Sequence, residues 1–391
     1  MRVDDLHLWS DERRARAALT GIVEPASAGL LAQLQHYSVE EVWTALRESK
    51  DDSSLWARRA AALNLERTVD LVHGKEVHFL IPGDPQWPQA LPPLDGIKRT
   101  VQGIEMQGQP LGLWWVGEET PRQAFERAVS IVGSRASTSY GERVASDLGA
   151  ELASEGFTVV SGGAYGIDAA AHRGALAGGG RTVAILANGL DSFYPRGNHA
   201  LLDRVASAGA VVAEVAPGIR PHKVGFLARN RIIAAVGRGV VLVEAAHRSG
   251  ALNTANWAEA MQRPLLCIPG SIYSATSAGV HGQLRKYGTL VATTEHVLTE
   301  LGPIEADPLP GCEGDRPTDG LTGNQLLVRE ALPSRGGMAA AAVAETTGLP
   351  YPQVLAALGM LELEGLAEEV ADGRWRVTRP KPSARRPRSA G

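Results

Sequence analysis

The sequence predicts an α/β protein built on a doubly wound parallel sheet, with a helical module before the sheet and a winged helix after it. Three observations carry the prediction. From residue 129 onward seven short β-branched runs, "VSIVG", "TVVSG", "TVAIL", "AVVAE", "GVVLVE", "PLLCIP" and "TLVAT", are separated by helix-length segments. Parallel neighbours need long crossovers, so strand alternating with helix implies parallel pairing. Upstream, "SAGLLAQLQ" and "SVEEVWTALRES" read as short helices, with Ser27 and Ser38 as N-caps. Downstream, "TGNQLLVREAL", "MAAAAVAETTG" and "YPQVLAALGMLELEG" precede two strand-like pieces around "LAEEVADGRWRVT", the helix and hairpin order of a winged helix.

Taken in order, residues 1–75 form the helical module and 76–301 the core. Between them "EVHFLIPGDPQWPQALPPL" alternates briefly like a strand and then becomes a Pro-rich extended connection. "LGLWWVG" (111–117) suits an edge strand entering the core. In the first core helix Val144, Leu148 and Leu152 recur every four residues and make one buried stripe. Residues 302–320, rich in Pro, Gly and Asp and without periodicity, form a linker. The winged helix spans 321–378, and 379–391 form a basic, Pro-rich tail expected to be disordered. In such a sheet the functional cleft lies at the C-terminal strand ends.

A chain of 391 residues with 44% apolar content is globular and long enough for two or three domains. "MRVDDLHLW" lacks a basic start and an apolar h-region, and no run of about 18 apolar residues occurs, so a cytoplasmic protein without a membrane partner is expected. Cys267 and Cys312 have no zinc-like spacing and are expected to be reduced, and no metal or cofactor is expected. The net charge of −4 hides a strong asymmetry. Residues 129–290 carry 15 basic and 10 acidic groups, 291–373 carry 3 and 14, and 374–391 carry 7 and none. Local field attracts a polyanion, so the middle segment is where one would bind.

The chemistry-bearing residues lie in that segment. "VGSR" ends the first core strand with Gly133 in a turn and Ser134 and Arg135 at the cleft, where an arginine fork suits phosphate. "SGGAYGID" places Ser161, Gly162, Gly163 and Gly166 at the second strand end; glycines there serve close phosphate approach or tight helix–sheet packing. The dinucleotide G-x-G-x-x-G and the P-loop are both absent. Asp168 and His172 are four apart, as metal ligands can be, but without a third ligand they read as a cap and a helix-surface histidine.

"HKVGFLARNR" (222–231) brings Lys223, Arg229 and Arg231 for phosphates and Phe226 for stacking on a base, against the alternative that Phe226 is core. "EAAHRSGALNTA" adds Arg248, Ser249, Gly250, Asn253 and Thr254 at a helix start, and Glu244 is a carboxylate without an identifiable catalytic partner. The third winged-helix helix has no lysine or arginine and bears Glu362 and Glu364, which would repel phosphates; it suits a protein contact or its own core.

These ordered motifs, "IVGSR", "SGGAYGIDAAAHRGAL", "GLDSFYPRGN", "FLARNRIIAA", "EAAHRSGALNTA", "IPGS" and "SAGVHGQLR", with "PGDPQWPQAL" upstream, resemble those of the DNA-processing protein A (DprA/Smf) family. The resemblance implies a SAM-like helical module, an extended Rossmann-like core and a winged helix. It implies a non-enzymatic recombination mediator that binds and protects single-stranded DNA, loads the RecA recombinase during natural transformation, and dimerises through its core. Matching positions give a DNA pocket of Gly133, Ser134, Arg135, Ser161, Gly162, Lys223, Phe226, Arg229, Asn230 and Arg231, with Ser249, Gly250 and Thr254 matched more loosely. Where the family often has "SGLARGID", this chain has Gly163 and Tyr165, and the tyrosine ring offers stacking in place of an arginine. Neither stacking nor phosphate contact reads base identity, so sequence-tolerant binding is expected. The rival reading is a LOG-like nucleotide or nucleoside-phosphate hydrolase on a similar sheet, whose PGGxGTxxE motif this chain lacks.

Overall fold

The structure is a computed structural model that describes residues 1–302, 321, 323–333, 336–363, 365–370 and 373–378. Most of the 302–320 linker and the basic tail lie outside the described residues. The chain divides into two compact units, Met1–Pro303 and Ile304–Gly391.

The first unit opens with five helices, α1 (Asp11–Ile22), α2 (Ala28–Leu34), α3 (Val39–Glu48), α4 (Leu55–Ala62) and α5 (Leu65–Asp70). Ser10, Ser27, Ser38, Ser54 and Asn64 cap them, each accepting a bond from the backbone amide three residues on. Leu19, Ile22, Leu30 and Val42 close the helices on one another. Helix α1 also reaches the sheet, where the Trp114 indole donates to Thr20 Oγ1 at 3.1 Å. The helical segment therefore shares one compact unit with the core.

Strand β1 (His78–Leu80) follows, then a hairpin of β2 (Lys98–Val101) and β3 (Ile104–Gln107), strand β4 (Leu113–Gly117) and helix α6 (Pro121–Glu126). The hairpin falls after the segment read as a Pro-rich connection. Its turn is Gln102–Gly103, both at positive φ (51° and 82°), the pattern of a two-residue hairpin turn. "QG" is a weaker signal than "NG", which explains why the sequence does not announce it. Strand β4 pairs antiparallel with β1 on one side and with the parallel array on the other, so β1 rather than "LGLWWVG" is the edge of the sheet.

The seven β-branched runs are seven parallel strands: β5 (Ala128–Val132), β6 (Thr158–Ser161), β7 (Thr182–Leu186), β8 (Ala210–Ala213), β9 (Val240–Leu242), β10 (Leu265–Cys267) and β11 (Thr289–Leu290). Helices α7 (Ser139–Ser154), α8 (Ile167–Ala177), α9 (His199–Ala208), α10 (Lys223–Val236), α11 (Ala251–Ala260), α12 (Ala278–Leu284) and α13 (Thr294–Leu301) connect and follow them. The order is β1-β4-β8-β7-β6-β5-β9-β10-β11, so the chain builds outward from β5 in one direction and returns to the other side at β9. The crevice between β5 and β9 is the topological switch point. Alternate residues face opposite layers: Ile131, Val159 and Val241 pack with Leu148, Leu152 and Ala171 of α7 and α8, whereas Val132, Val160 and Leu242 pack with Ile232 of α10 and Trp257 of α11.

Helix α10 makes the crossover to β9 and carries a buried ion pair. The Arg231 guanidinium, fully buried, meets Glu214 just beyond β8 at 2.5 and 2.7 Å and also donates to the carbonyls of Gly108 and Ala228.

In the second unit α14 (Gly323–Ala331), β12 (Met338–Ala339), α15 (Ala340–Thr347), α16 (Tyr351–Leu363), β13 (Ala367–Val370) and β14 (Arg374–Val377) form the winged helix, with strand order β12-β14-β13. Val354, Leu358 and Leu361 of α16 enter its core, Tyr351 and Leu355 remain exposed, and Arg376 pairs with Glu368 across the wing at 2.6 Å.

Removing one partner of a buried pair strands the other charge in a low-dielectric site. Glu214→Ala is expected to cost about 3–5 kcal/mol in denaturant unfolding of the first unit, and Glu214→Leu with Arg231→Met to recover most of that. Equal losses in the single and double variants would refute the pairing argument.

Candidate nucleic-acid interface

An open cleft of about 500 Å³ lies over the switch point, at the C-terminal ends of the strands. Its walls come from three places. The turn after β5 brings Gly133, Ser134 and Arg135; one face of α10 brings Lys223, Phe226, Leu227, Asn230 and Ile233; and the β9–α11 connection brings Arg248, Ser249, Gly250 and Thr254. The α10 residues follow the i, i+3, i+4, i+7 spacing of a single helical face.

The floor is set by the β6–α8 turn. Gly166 sits at φ 78°, and a Cβ there would strike the Ser134 and Arg135 carbonyls, so glycine lets the two strand-end turns nest. A side chain at Gly162 would meet the Arg229 guanidinium. Asn198 ties the turn down by donating to the Gly163 and Ala164 carbonyls at 3.0 and 3.1 Å. Asp168 lines the floor, and burial pushes its carboxyl above the usual range against the nearby Arg229 charge.

On one lip the Arg135 guanidinium lies 4.5 Å from the Phe226 ring centroid, and Tyr194 packs against the same ring at 6.1 Å. Phe226 is half-buried and lines the cleft, so it is not the core residue that its alternative reading allowed. Lys223 is exposed at the first turn of α10, where His222 Nδ1 accepts the Gly225 amide at 3.3 Å.

Three residues expected in the pocket stand behind its wall. Ser161 is fully buried and donates to the Ile131 carbonyl at 2.6 Å, and Gly162 is buried against Arg229. Arg231, expected to hold a phosphate, is committed to Glu214; at about 100° per residue it points roughly 100° from the middle of the cleft-facing stripe. Arg229 lines the cleft but spends most of its fork on the fold. Its Nη1 donates to the Gly162 and Ile185 carbonyls and Nε to Asn230 Oδ1, and burial lowers its pKa to about 10.

His172 also differs from its sequence reading. It is buried rather than on a helix surface, because α8 packs against both the sheet and the neighbouring α7, so close to α7 that a Cβ on Gly174 would strike the Ser146 backbone. Its Nδ1 meets Thr182 Oγ1 at 2.7 Å, not Asp168. Among the described residues no group of three or more metal-ligating side chains exists, and no helix is long and apolar enough to cross a membrane. Glu244 accepts from the Thr138 amide and hydroxyl at 2.9 and 2.6 Å and from Thr276 at 3.1 Å, holding the start of α7. Sequence reasoning missed Gln102, which enters the cleft from the hairpin turn, and Tyr194, whose only signal was "YPRGN". Tyr165 is 50% exposed beside the cleft, its hydroxyl accepting the Gly197 amide at 3.3 Å.

Residues 78–302 match the family model of DNA recombination-mediator protein A, and residues 314–373 match that of the DprA winged helix domain. The chain belongs to the DprA/Smf family. A DprA-named protein of Mycobacterium tuberculosis is 40% identical over 374 residues, covering 94% of each chain. Protein Smf of Escherichia coli is 35% identical over 313 residues, covering 77% of this chain and 78% of its own. Among solved structures, DNA processing protein A of Streptococcus pneumoniae superposes with a TM-score of 0.59 at 28% identity, covering 75% of this chain and 98% of that one. The Helicobacter pylori protein, described for its single-stranded DNA binding mode, has a TM-score of 0.50 at 27% identity and covers 58% of this chain and 96% of that one.

Burial, with the Arg229 and Arg173 charges, pushes the His172 imidazole down to about 3. The unfolded chain takes up that proton near pH 6.5. His172 therefore contributes stability that is complete above about pH 6.5 and is lost as the pH falls toward 3. Asp168, raised, has the opposite sign. The unfolding midpoint of His172→Gln should thus depend less steeply on pH across that window than that of the native chain; parallel curves would show that His172 is not the group responsible.

Proposed function

We propose that the switch-point cleft binds single-stranded DNA. Arg135 and Lys223 meet phosphates with Arg248 at the rim, Phe226 stacks on a base, and the backbone of Gly133 and Ser134 with the free end of Arg229 forms an electropositive floor. The observation that carries the reading is the Arg135–Phe226 lip, a cation and an aromatic face 4.5 Å apart on one wall of an open groove. A strand lays successive phosphates and bases along an open groove, so it can engage several cations and the ring at once.

The described binding mode of the Helicobacter pylori relative supports this reading. In this proposal the protein acts in the cytoplasm, protects incoming single strands during natural transformation, dimerises through the sheet core and delivers the strand to a RecA recombinase. Family membership supports those steps. The role is binding rather than hydrolysis, in keeping with a Glu244 carboxylate engaged by Thr138 and Thr276.

Fluorescence anisotropy over a salt series tests the proposal. Single strands should bind more tightly than duplex, with affinity falling as salt rises by a slope of about 0.7 per phosphate contact. Salt-insensitive binding or a duplex preference would defeat it. Arg135→Ala should weaken binding and flatten the slope. Phe226→Ala should cost about 1–3 kcal/mol with the slope retained; unchanged affinity would remove stacking from the account.

A further inference from the structure

The cleft lining has a second chemistry. Beside the cations and Phe226 it includes uncharged polar residues: Asn230 on α10, Ser249 and Thr254 on the β9–α11 segment, and Gln102 at the hairpin tip. Accounting for their hydrogen bonds separates them. Asn230 is spent at both ends, accepting from Arg229 Nε and donating to the Gly250 carbonyl, each at 3.2 Å. Ser249 Oγ accepts the Ala251 amide at 3.3 Å. Neighbouring Asn253 donates to the Leu227 carbonyl at 2.8 Å.

Gln102 and Thr254 are different. Thr254 is only 2% exposed and lines the cleft, yet its hydroxyl bonds none of the described residues, not even the carbonyl one turn back that helical threonines commonly use. The Gln102 carboxamide, an acceptor and two donors, is exposed at the hairpin tip and bonds none of the described residues. For the nearly buried Thr254 hydroxyl the lack of a partner is costly unless something else supplies one, whereas the solvated Gln102 carboxamide is simply available to a ligand.

The segments that carry them are joined by a direct contact. The Arg99 guanidinium lies over the Trp257 ring at 5.3 Å, joining the hairpin to the helix that carries Thr254 one turn earlier. Met106 is fully buried, the Gln107 amide donates to the Ala26 carbonyl at 3.1 Å, and Lys98 pairs with Glu105 across the hairpin at 2.9 Å. Gln102 itself sits in the left-handed region, φ 51°, which only a fixed turn imposes on such a residue.

We propose that Gln102 and Thr254 form a base-reading subsite of the cleft, which receives the hydrogen-bonding edge of one nucleobase while the strand's phosphates lie on the Arg135 and Lys223 side. A carboxamide presents donor and acceptor side by side, the arrangement that pairs with a base edge, and a hydroxyl adapts to either partner. The inference rests on the single-strand reading and refines it: binding is base-dependent at this one position instead of indifferent throughout.

The test is anisotropy of the full chain with oligo-dA, oligo-dC and oligo-dT of equal length at fixed salt, with slopes measured for each. The native chain should show a spread of about tenfold among them. Gln102→Asn keeps the left-handed turn, which asparagine favours, and withdraws the carboxamide by one methylene. It and Thr254→Val should each narrow the spread to about twofold while leaving the salt slope unchanged. Uniform affinity in the native chain, or a spread that survives both substitutions, overturns the subsite and leaves single-strand binding standing. Absence of single-strand binding altogether overturns both.

Discussion

Two arginines on one helix hold the cleft in shape. Arg229 and Arg231 of α10 are both buried, and an ion taken out of water is tolerated only where hydrogen bonds and opposite charge replace its hydration. Arg231 finds these in Glu214 beyond β8 and in the Gly108 carbonyl beyond the hairpin; Arg229 finds them in the carbonyls of Gly162 and Ile185 at the ends of β6 and β7. The two side chains thus fasten α10 to successive strand ends. Its remaining face, with Lys223, Phe226 and Asn230, is turned into the groove as a consequence. Planar forks suit this role because each satisfies several carbonyl or carboxylate oxygens at once.

The strand order supplies the groove itself. Because the chain leaves β5 in one direction and returns at β9 in the other, no crossover helix covers the ends of those two strands. The turns that follow them lie open, and Gly166 allows one neighbouring turn to settle beneath Ser134 and Arg135. The field there is positive although the whole chain carries −4, since Arg135, Lys223, Arg229 and Arg248 gather around one carboxyl, Asp168. Burial raises that carboxyl's pKa, while the Arg229 charge beside it acts the other way.

The winged-helix unit has another character. Its α16 places Val354, Leu358 and Leu361 in its own core and exposes Tyr351 and Leu355, and Arg376 of the wing is neutralised by Glu368. The cations that share one cleft, Arg135, Lys223, Arg229 and Arg248, all belong to the first unit.

Much was legible in the sequence because it depends on local patterns. Alternating β-branched and helical runs specify parallel strands, and Ser27 and Ser38 cap helices because a hydroxyl before a helical stretch bonds its free amides. Strand-end motifs specify a cleft that contains Gly133, Ser134, Arg135, Lys223, Phe226, Arg229, Asn230, Ser249, Gly250 and Thr254. The sequence could not say which arginines of "HKVGFLARNR" are available. That depends on the face of α10 each occupies and on Glu214 and Gly108, far away in the chain. It likewise could not bring Gln102 to the cleft, because the hairpin is weakly signalled and is held by Trp257, more than a hundred residues on. By itself the sequence determined the sheet, the family and the chemistry gathered at its strand ends. Only the tertiary structure decided which charges are spent on the fold and which groups remain free for a ligand, because partnership of a buried polar group is a property of long-range packing.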